Sequence, residues 1–331
     1  MLTSEDTPSQ KSPTILRRSL GATAAITALL VAGLGSTALA STSPTPAVTR
    51  AHASSTQVIK TIGAENEYAN VLGQIGGKYV SVSSILNNPN TDPHTFESSP
   101  SVASAVSSAE LIVQNGVGYD DFMNKIESAS PSSKRKVITV QTLLGLPDST
   151  PNPHLWYKPT TMPAVAKAIA ADLGALQPSL SAYFQTNLKT FDNSLKPWLN
   201  AIASFKATYP GTTVATTEPV ADYMLQAIGA SNLTPFGFQA DIMNGVDPSP
   251  QDISLQDSLF SKHKVKVFVY NQQVVDSLTT SFRTAAEKAG IPVVGVYETM
   301  PTPGYNYQSW MLAEVHAIEK AVVDKASTEK L

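Results

Sequence analysis

The 331-residue chain contains no cysteine. That absence excludes disulfides, thiolate zinc sites, thiol nucleophiles and the acylated cysteine that anchors a bacterial lipoprotein. A strong excess of one charge is lacking too: 23 Lys and Arg stand against 26 Asp and Glu, a formal net charge of -3. A polyanion binder working by bulk positive charge is thereby ruled out, and past Arg17-Arg18 no dense basic run makes nucleic acid a partner. Histidines number five, so any metal site must be assembled from a few imidazoles together with Asp and Glu. Apolar residues are plentiful, at 42%, which excludes wholesale disorder. Roughly two domains are expected at this length, because single cores stop growing at about 250 residues.

Residues 1–40 have the form of a targeting segment. Lys11, Arg17 and Arg18 make a basic lead, Ser19 to Ala40 is uncharged, and Ala38-Leu39-Ala40 offers the small-x-small pattern that signal peptidase accepts. The uncharged run is long enough to span a bilayer, so an uncleaved signal anchor is the alternative. Its wealth of Ala, Gly and Thr rather than Leu favours a signal peptide. Residues 41–56, rich in Ser, Thr, Pro and Ala, read as a flexible tether. A lone histidine in such a stalk, His52, is not expected to be a ligand.

Beyond the tether, strand-like and helix-like stretches alternate. Strands are predicted over 57–64, 79–85, 109–114 and 136–140, with helices over 68–75 and 99–108 between them. Residues 162–209 have helical periodicity and almost no strand signal. Pro178 divides them, Ser179 suits the cap of the second helix, and Pro197 should kink or end it. Strands return at 212–217, 265–270 and 292–297, with an amphipathic helix over 279–289. The expectation is an α/β fold of two lobes with largely parallel sheets flanked by helices, joined by a long linking helix. The lobes are read as 57–178 and 210–331, and the link as 179–209.

Ligands of open parallel sheets bind beyond the carboxyl ends of the strands, and four metal-ligating side chains fall near such ends. His94 lies in Asp92-Pro93-His94-Thr95-Phe96-Glu97 and His154 in Asn152-Pro153-His154-Leu155-Trp156. Glu218 lies in Thr217-Glu218-Pro219, and Glu298 follows Tyr297 at the end of the last strand. Two imidazoles and two carboxylates suit a first-row divalent cation, with zinc taking four such ligands as a tetrahedron. A bound dication would also relieve the repulsion within each like pair. Spacing by itself leaves two chemistries open: a metal receptor, or a zinc hydrolase with two histidines, one glutamate and an open water position. The H-E-x-x-H helix common in such hydrolases is absent, as is a G-x-S-x-G elbow.

The ordered set Asp92–Glu97, Asn115-Gly116-Val117-Gly118-Tyr119-Asp120 and Pro153-His154-Leu155-Trp156 resembles the metal-binding solute receptors of bacterial ABC importers for zinc and manganese (the cluster A-I, or cluster 9, family). The resemblance continues through Thr217–Tyr223, Asp247–Pro250, Val269–Gln272, Pro292–Glu298 and Tyr307–Met311, and so covers the chain from about Gln57. It implies two α/β lobes on a rather rigid helical link, with Zn2+ or Mn2+ clamped between them. The ligands it implies are His94, His154, Glu218 and Glu298, and the implied partners are the transported ion and a membrane permease. The chain is then no enzyme but an exported monomer, periplasmic or extracytoplasmic, free or held by an uncleaved signal. A surface-adhesin role, assigned to some family members, has no adhesive repeat behind it here.

Three departures from the family pattern matter. The last ligand is commonly aspartate, where this chain has Glu298. The His-rich loop of many zinc-specific members is missing from Asp148–Asn152. The lipid-anchor cysteine is absent. Among other residues, Glu65 is expected either at the cleft or exposed at a strand end, and Asp92 and Glu97 either support His94 or cap its loop. Trp156 should pack beside the site, His263 should sit in a solvated turn, and His316 should pair with Glu319 on a helix surface.

Overall fold

The structure, a computed structural model, describes residues 57–90 and 92–331. The expected targeting segment, tether and His52 lie outside the described residues. The first half runs β1 (Ile59–Glu65), α1 (Asn66–Gly76), β2 (Val80–Leu86), α2 (Pro100–Ser108), β3 (Leu111–Gln114), α3 (Asp121–Ala129), β4 (Lys136–Thr139) and α4 (Val140–Leu143). Three helices follow: α5 (Thr161–Leu176), α6 (Ser181–Ser194) and α7 (Lys196–Thr208). The second half runs β5 (Thr213–Thr216), α8 (Asp222–Ala227), β6 (Ser231–Asn232), α9 (Phe236–Met243) and α10 (Pro250–Ser261). It ends with β7 (Val267–Asn271), α11 (Ser277–Lys288), β8 (Val293–Val296) and α12 (Tyr307–Asp324).

Each half builds one four-stranded parallel sheet, in the orders β2-β1-β3-β4 and β6-β5-β7-β8. The two orders are the same topology used twice. In each, the first strand of the half is central and the chain switches direction beside it, between β1 and β3 and between β5 and β7. A crevice opens at such a switch point, at the carboxyl ends of the strands. Registers such as Ile62 with Ile112 and Val214 with Val267 align those ends.

Strands β3, β7 and β8 are buried along their whole length. Their largely apolar runs, closed by Gln114 in β3 and Asn271 in β7, belong to parallel sheets covered on both faces. Burying each Leu, Ile or Val there contributes about 1.5–3 kcal/mol. Helix α1 sits so close to β1 that a Cβ on Gly63 would come within 2.2 Å of the Ala69 backbone nitrogen, so no larger residue fits. Three later helices start on side-chain caps: Ser249 for α10, and the capping boxes of Asp276 with Thr279 and Asn306 with Ser309 for α11 and α12.

The link departs from expectation at its start, and it breaks beside Pro197, where a kink or end was expected. Pro178–Leu180 form one 3-10 turn, so Ser179 lies inside that turn and does not cap α6. The helix then breaks at Leu195, and Pro197 stands in the first turn of α7. Proline is at ease there, because that N–H has no intrahelical partner to lose. The connection is thus helical in two pieces. Helix α6 packs on α1 and α5, and α7 packs on α12. Side-chain bonds tie the halves further: Asn66 Nδ2 donates to the Met300 carbonyl at 2.8 Å, and the Met300 N–H donates back to Asn66 Oδ1 at 2.9 Å.

Candidate metal centre

His94 and His154 are each presented by the same local device, an Asx-Pro-His turn. The Asp92 carboxylate accepts the His94 N–H at 2.8 Å, and the Asn152 side-chain oxygen accepts the His154 N–H at 3.0 Å. The intervening proline restricts the preceding backbone to extended conformations. Asn152 Oδ1 also lies 2.8 Å from His154 Nδ1. A carbonyl oxygen can only accept, so Nδ1 carries a proton, which leaves Nε2 as the nitrogen that can bind a metal once it is unprotonated.

Glu298 comes from the residues just past β8. Its backbone N–H donates to Gln273 Oε1 at 2.7 Å, and the Thr299 N–H donates to the same oxygen at 2.9 Å. Its Oε2 lies 3.3 Å from Nε2 of both His94 and His154. The three ligand atoms fall within 4.8 Å of one another, close enough to surround one ion. Tyr119, in the turn after β3, donates its hydroxyl to Glu298 Oε2 at 3.0 Å. Asn115 and Gly116 shape that turn, with Gly116 at φ +81°, a conformation that favours glycine.

Glu218, just past β5, stands outside this tight group of three. It is reached through Asn271, whose Nδ2 donates to Glu218 Oε1 at 3.2 Å and to Glu298 Oε1 at 2.8 Å. Glu218 Oε2 is buried without a hydrogen-bond partner. An orphaned carboxylate oxygen costs free energy unless a cation or proton satisfies it.

The electrostatics follow from burial and neighbours. Burial pushes Glu298 up, yet hydrogen bonds from His154 and His94 outweigh it and hold the carboxyl below the usual range. Glu218 goes the other way, raised well above 4.5 by burial and then by the charge of Glu298. His154 is lowered, chiefly by burial. Burial also pulls His94 down, but the hydrogen bond and charge of Glu298 win and raise it. The donors fit a divalent cation: two imidazoles, two carboxylates and one unfilled oxygen.

The other sequence candidates separate cleanly. Glu65 is 0% exposed, so the expectation of an exposed strand-end glutamate does not describe it. It lies with Glu67 and Asp120 among buried acids, and burial holds the Glu65 and Glu67 carboxyls well above 4.5. The end of a central strand in a covered sheet is closed off by α1 and the turn after β3, which is why it is not solvated. Asp92 caps the His94 turn, whereas Glu97 is exposed. Trp156 is fully buried with its ring 5.4 Å from that of His154. His263 is exposed in the turn after α10, and His316 Nδ1 lies 3.3 Å from Glu319 at the surface. Sequence reasoning missed Tyr119, Asn152, Asn271 and Gln273. Each stood in a motif already singled out or one residue past it, but amides and phenols carry no charge signature.

Two parallel-sheet halves with their strand ends facing a shared cluster of imidazoles and carboxylates define a two-lobed solute receptor for a metal cation. The profile of the periplasmic zinc-uptake complex component A, ZnuA, matches residues 64–321. The chain belongs to that family, whose members are substrate-binding components of ABC importers and not enzymes. It is similar to the manganese ABC transporter substrate-binding lipoprotein PsaA of Streptococcus anginosus, 23% identical over 73% of this chain and 80% of that one. The iron ABC transporter substrate-binding lipoprotein MtsA of Streptococcus pyogenes is 24% identical over 71% of this chain and 78% of its own. The fold matches the solute-binding protein FpvC of Pseudomonas aeruginosa, solved with Mn2+, at a TM-score of 0.66. That match is 18% identical and covers 81% of this chain and 99% of that one. Among the described residues no helix is long and apolar enough to cross a membrane.

Proposed function

We propose that the chain captures one divalent transition metal outside the cytoplasm, zinc in preference to manganese, and delivers it to an ABC permease. His94, His154, Glu218 and Glu298 are the ligands. The observation that carries this reading is the convergence of His94, His154 and Glu298 Oε2, with the unpartnered Glu218 oxygen one amide away. Manganese and iron in the relatives' names support a divalent cation and leave the choice to this chain's own donors. Two nitrogens and two oxygens lean towards zinc, and Glu298 in place of the common aspartate keeps the same donor type.

In this reading residues 57–178 and 210–331 are the lobes that close on the ion, 179–209 link them, and the protein acts as a monomer. Residues 1–40 export it, and 41–56 tether it if the signal stays uncleaved. With no cysteine to acylate, attachment differs from that of relatives named as lipoproteins. The test is metal retention: protein stripped by chelator is dialysed against equimolar Zn2+ and Mn2+, and bound metal is counted by mass spectrometry. About one ion per chain, mostly zinc, is expected. Retention of neither metal would refute the receptor reading, and retention of mostly manganese would refute the preference.

A further inference from the structure

Asn271 ends β7 and stands between the two carboxylates. An amide nitrogen has two hydrogens, and here one goes to Glu218 Oε1 at 3.2 Å and the other to Glu298 Oε1 at 2.8 Å. The amide is itself fixed in place. The Asn271 backbone N–H donates to Thr217 Oγ1 at 3.0 Å, its Oδ1 accepts the Gln273 N–H at 3.0 Å, and the residue is 1% exposed.

One side chain therefore holds one oxygen of each carboxylate. The other oxygens are differently placed: Glu298 Oε2 lies against both imidazoles, and Glu218 Oε2 has no partner. One nitrogen from each histidine and one oxygen from each glutamate make four donors. Zinc is satisfied by four, arranged as a tetrahedron, whereas manganese favours a larger, oxygen-rich shell. To supply such a shell from these residues, the carboxylates must bind through both oxygens, and the hydrogen bonds from Asn271 to Glu218 Oε1 and Glu298 Oε1 oppose the turn that this needs.

We infer that Asn271 is a positioning residue that restricts Glu218 and Glu298 to one coordinating oxygen each, and so sets the selectivity for a four-coordinate cation. The inference rests on the receptor function proposed above. It adds a selectivity element that touches no metal, and it explains how a site with two carboxylates behaves as a four-donor site.

The experiment loads Co2+ into the stripped protein and into Asn271→Ala, and reads the visible ligand-field spectrum, in which four-coordinate cobalt absorbs strongly and higher-coordinate cobalt weakly. Zn2+ and Mn2+ affinities are measured on the same samples. Wild type should give the strong four-coordinate spectrum. Asn271→Ala should give the weaker one, with the ratio of zinc to manganese affinity reduced about tenfold, at the lower end for outer-sphere partners. Asn271→Leu, of similar volume and also without donors, should do the same and guards against collapse of the alanine variant. An unchanged spectrum and ratio in the folded variants would overturn the role of Asn271. If neither variant folds, a weak, high-coordinate spectrum in wild type overturns it and a strong one supports it. Failure of wild type to retain any metal would instead overturn the receptor function.

Discussion

The two histidine turns are built on one plan and held in opposite ways. In the turn at 152–154, Asn152 Nδ2 donates to the Pro219 carbonyl at 2.7 Å, Tyr223 donates to the Asn152 carbonyl at 2.9 Å, and Asn115 Nδ2 donates to the Pro153 carbonyl at 2.8 Å. The first two bonds come from the opposite half of the molecule, and His154 is fully buried. The turn at 92–94 is held by its own atoms: Asp92 accepts from the backbone of His94 and Thr95 and from the Thr95 hydroxyl. Its imidazole keeps 26% of its surface exposed. The same Asx-Pro-His sequence thus gives a fixed imidazole in one place and a surface-accessible imidazole in the other. The environment of the turn, and not the turn, decides which.

That contrast can be broken first at the histidines themselves. Replacing His94 or His154 by alanine should each lower zinc affinity by at least about 100-fold, the upper end for loss of an outer partner, as measured by chelator competition. Only His154→Ala should also lower the melting temperature of the metal-free protein markedly, since it opens a buried cavity and removes the imidazole bond to Asn152. Equal melting shifts for the two variants would remove the distinction.

The supporting Asx residues come next. Asn152→Ala removes bonds to His154 and to Pro219 and should cost about 2–3 kcal/mol in urea unfolding. Asp92→Ala loses a half-exposed cap and should cost about 0.5–1 kcal/mol.

Protons should separate the two imidazoles as well. His94 sits above its ordinary 6.5 and His154 below it. As pH falls, His94 is protonated first and metal binding weakens, by up to about tenfold per pH unit for each imidazole that must lose a proton. Zinc affinity measured from pH 8 to 6 should begin to fall above 6.5, and in His94→Ala this first phase should vanish.

A further effect concerns the footing of the buried turn. Tyr157, three residues past His154, donates to the Tyr297 carbonyl at 2.8 Å and lies 3.3 Å from Glu314 Oε1. Burial pushes the Glu314 carboxyl up to about 8. A raised carboxyl pKa means the folded state holds its proton more tightly than the unfolded one, so stability is fully present below 4.5 and lost as pH rises through about 8. Glu314→Gln should therefore be more stable than wild type above pH 8 by about 1 kcal/mol or more, checked by melting temperature against pH.

Much of this was legible in the residues. Alternating strand and helix signals pointed to both parallel sheets, because Leu111–Gln114, Val267–Asn271 and Val293–Val296 are short apolar runs that a doubly covered sheet requires. Strand β6, the two residues Ser231 and Asn232, was not legible, since a polar pair carries no periodicity and its strand state comes from pairing with β5. His94, His154 and Glu298 stand out in their motifs and meet in space. Glu218 lies outside that group of three and shares the Asn271 amide with Glu298. No sequence pattern reveals that an amide at the end of β7 will span two carboxylates from other strands. The exposed alternative for Glu65 failed because a glutamate at a strand end normally reaches solvent, whereas here the fold closes over it.

The most direct test is X-ray absorption at the zinc edge of the protein loaded with one equivalent of Zn2+. Two imidazole nitrogens and two oxygens at about 2.0–2.2 Å are expected, with one imidazole lost in each of His94→Ala and His154→Ala. A zinc shell without imidazole scattering, or one that neither substitution changes, would contradict the assignment of these two turns to one metal.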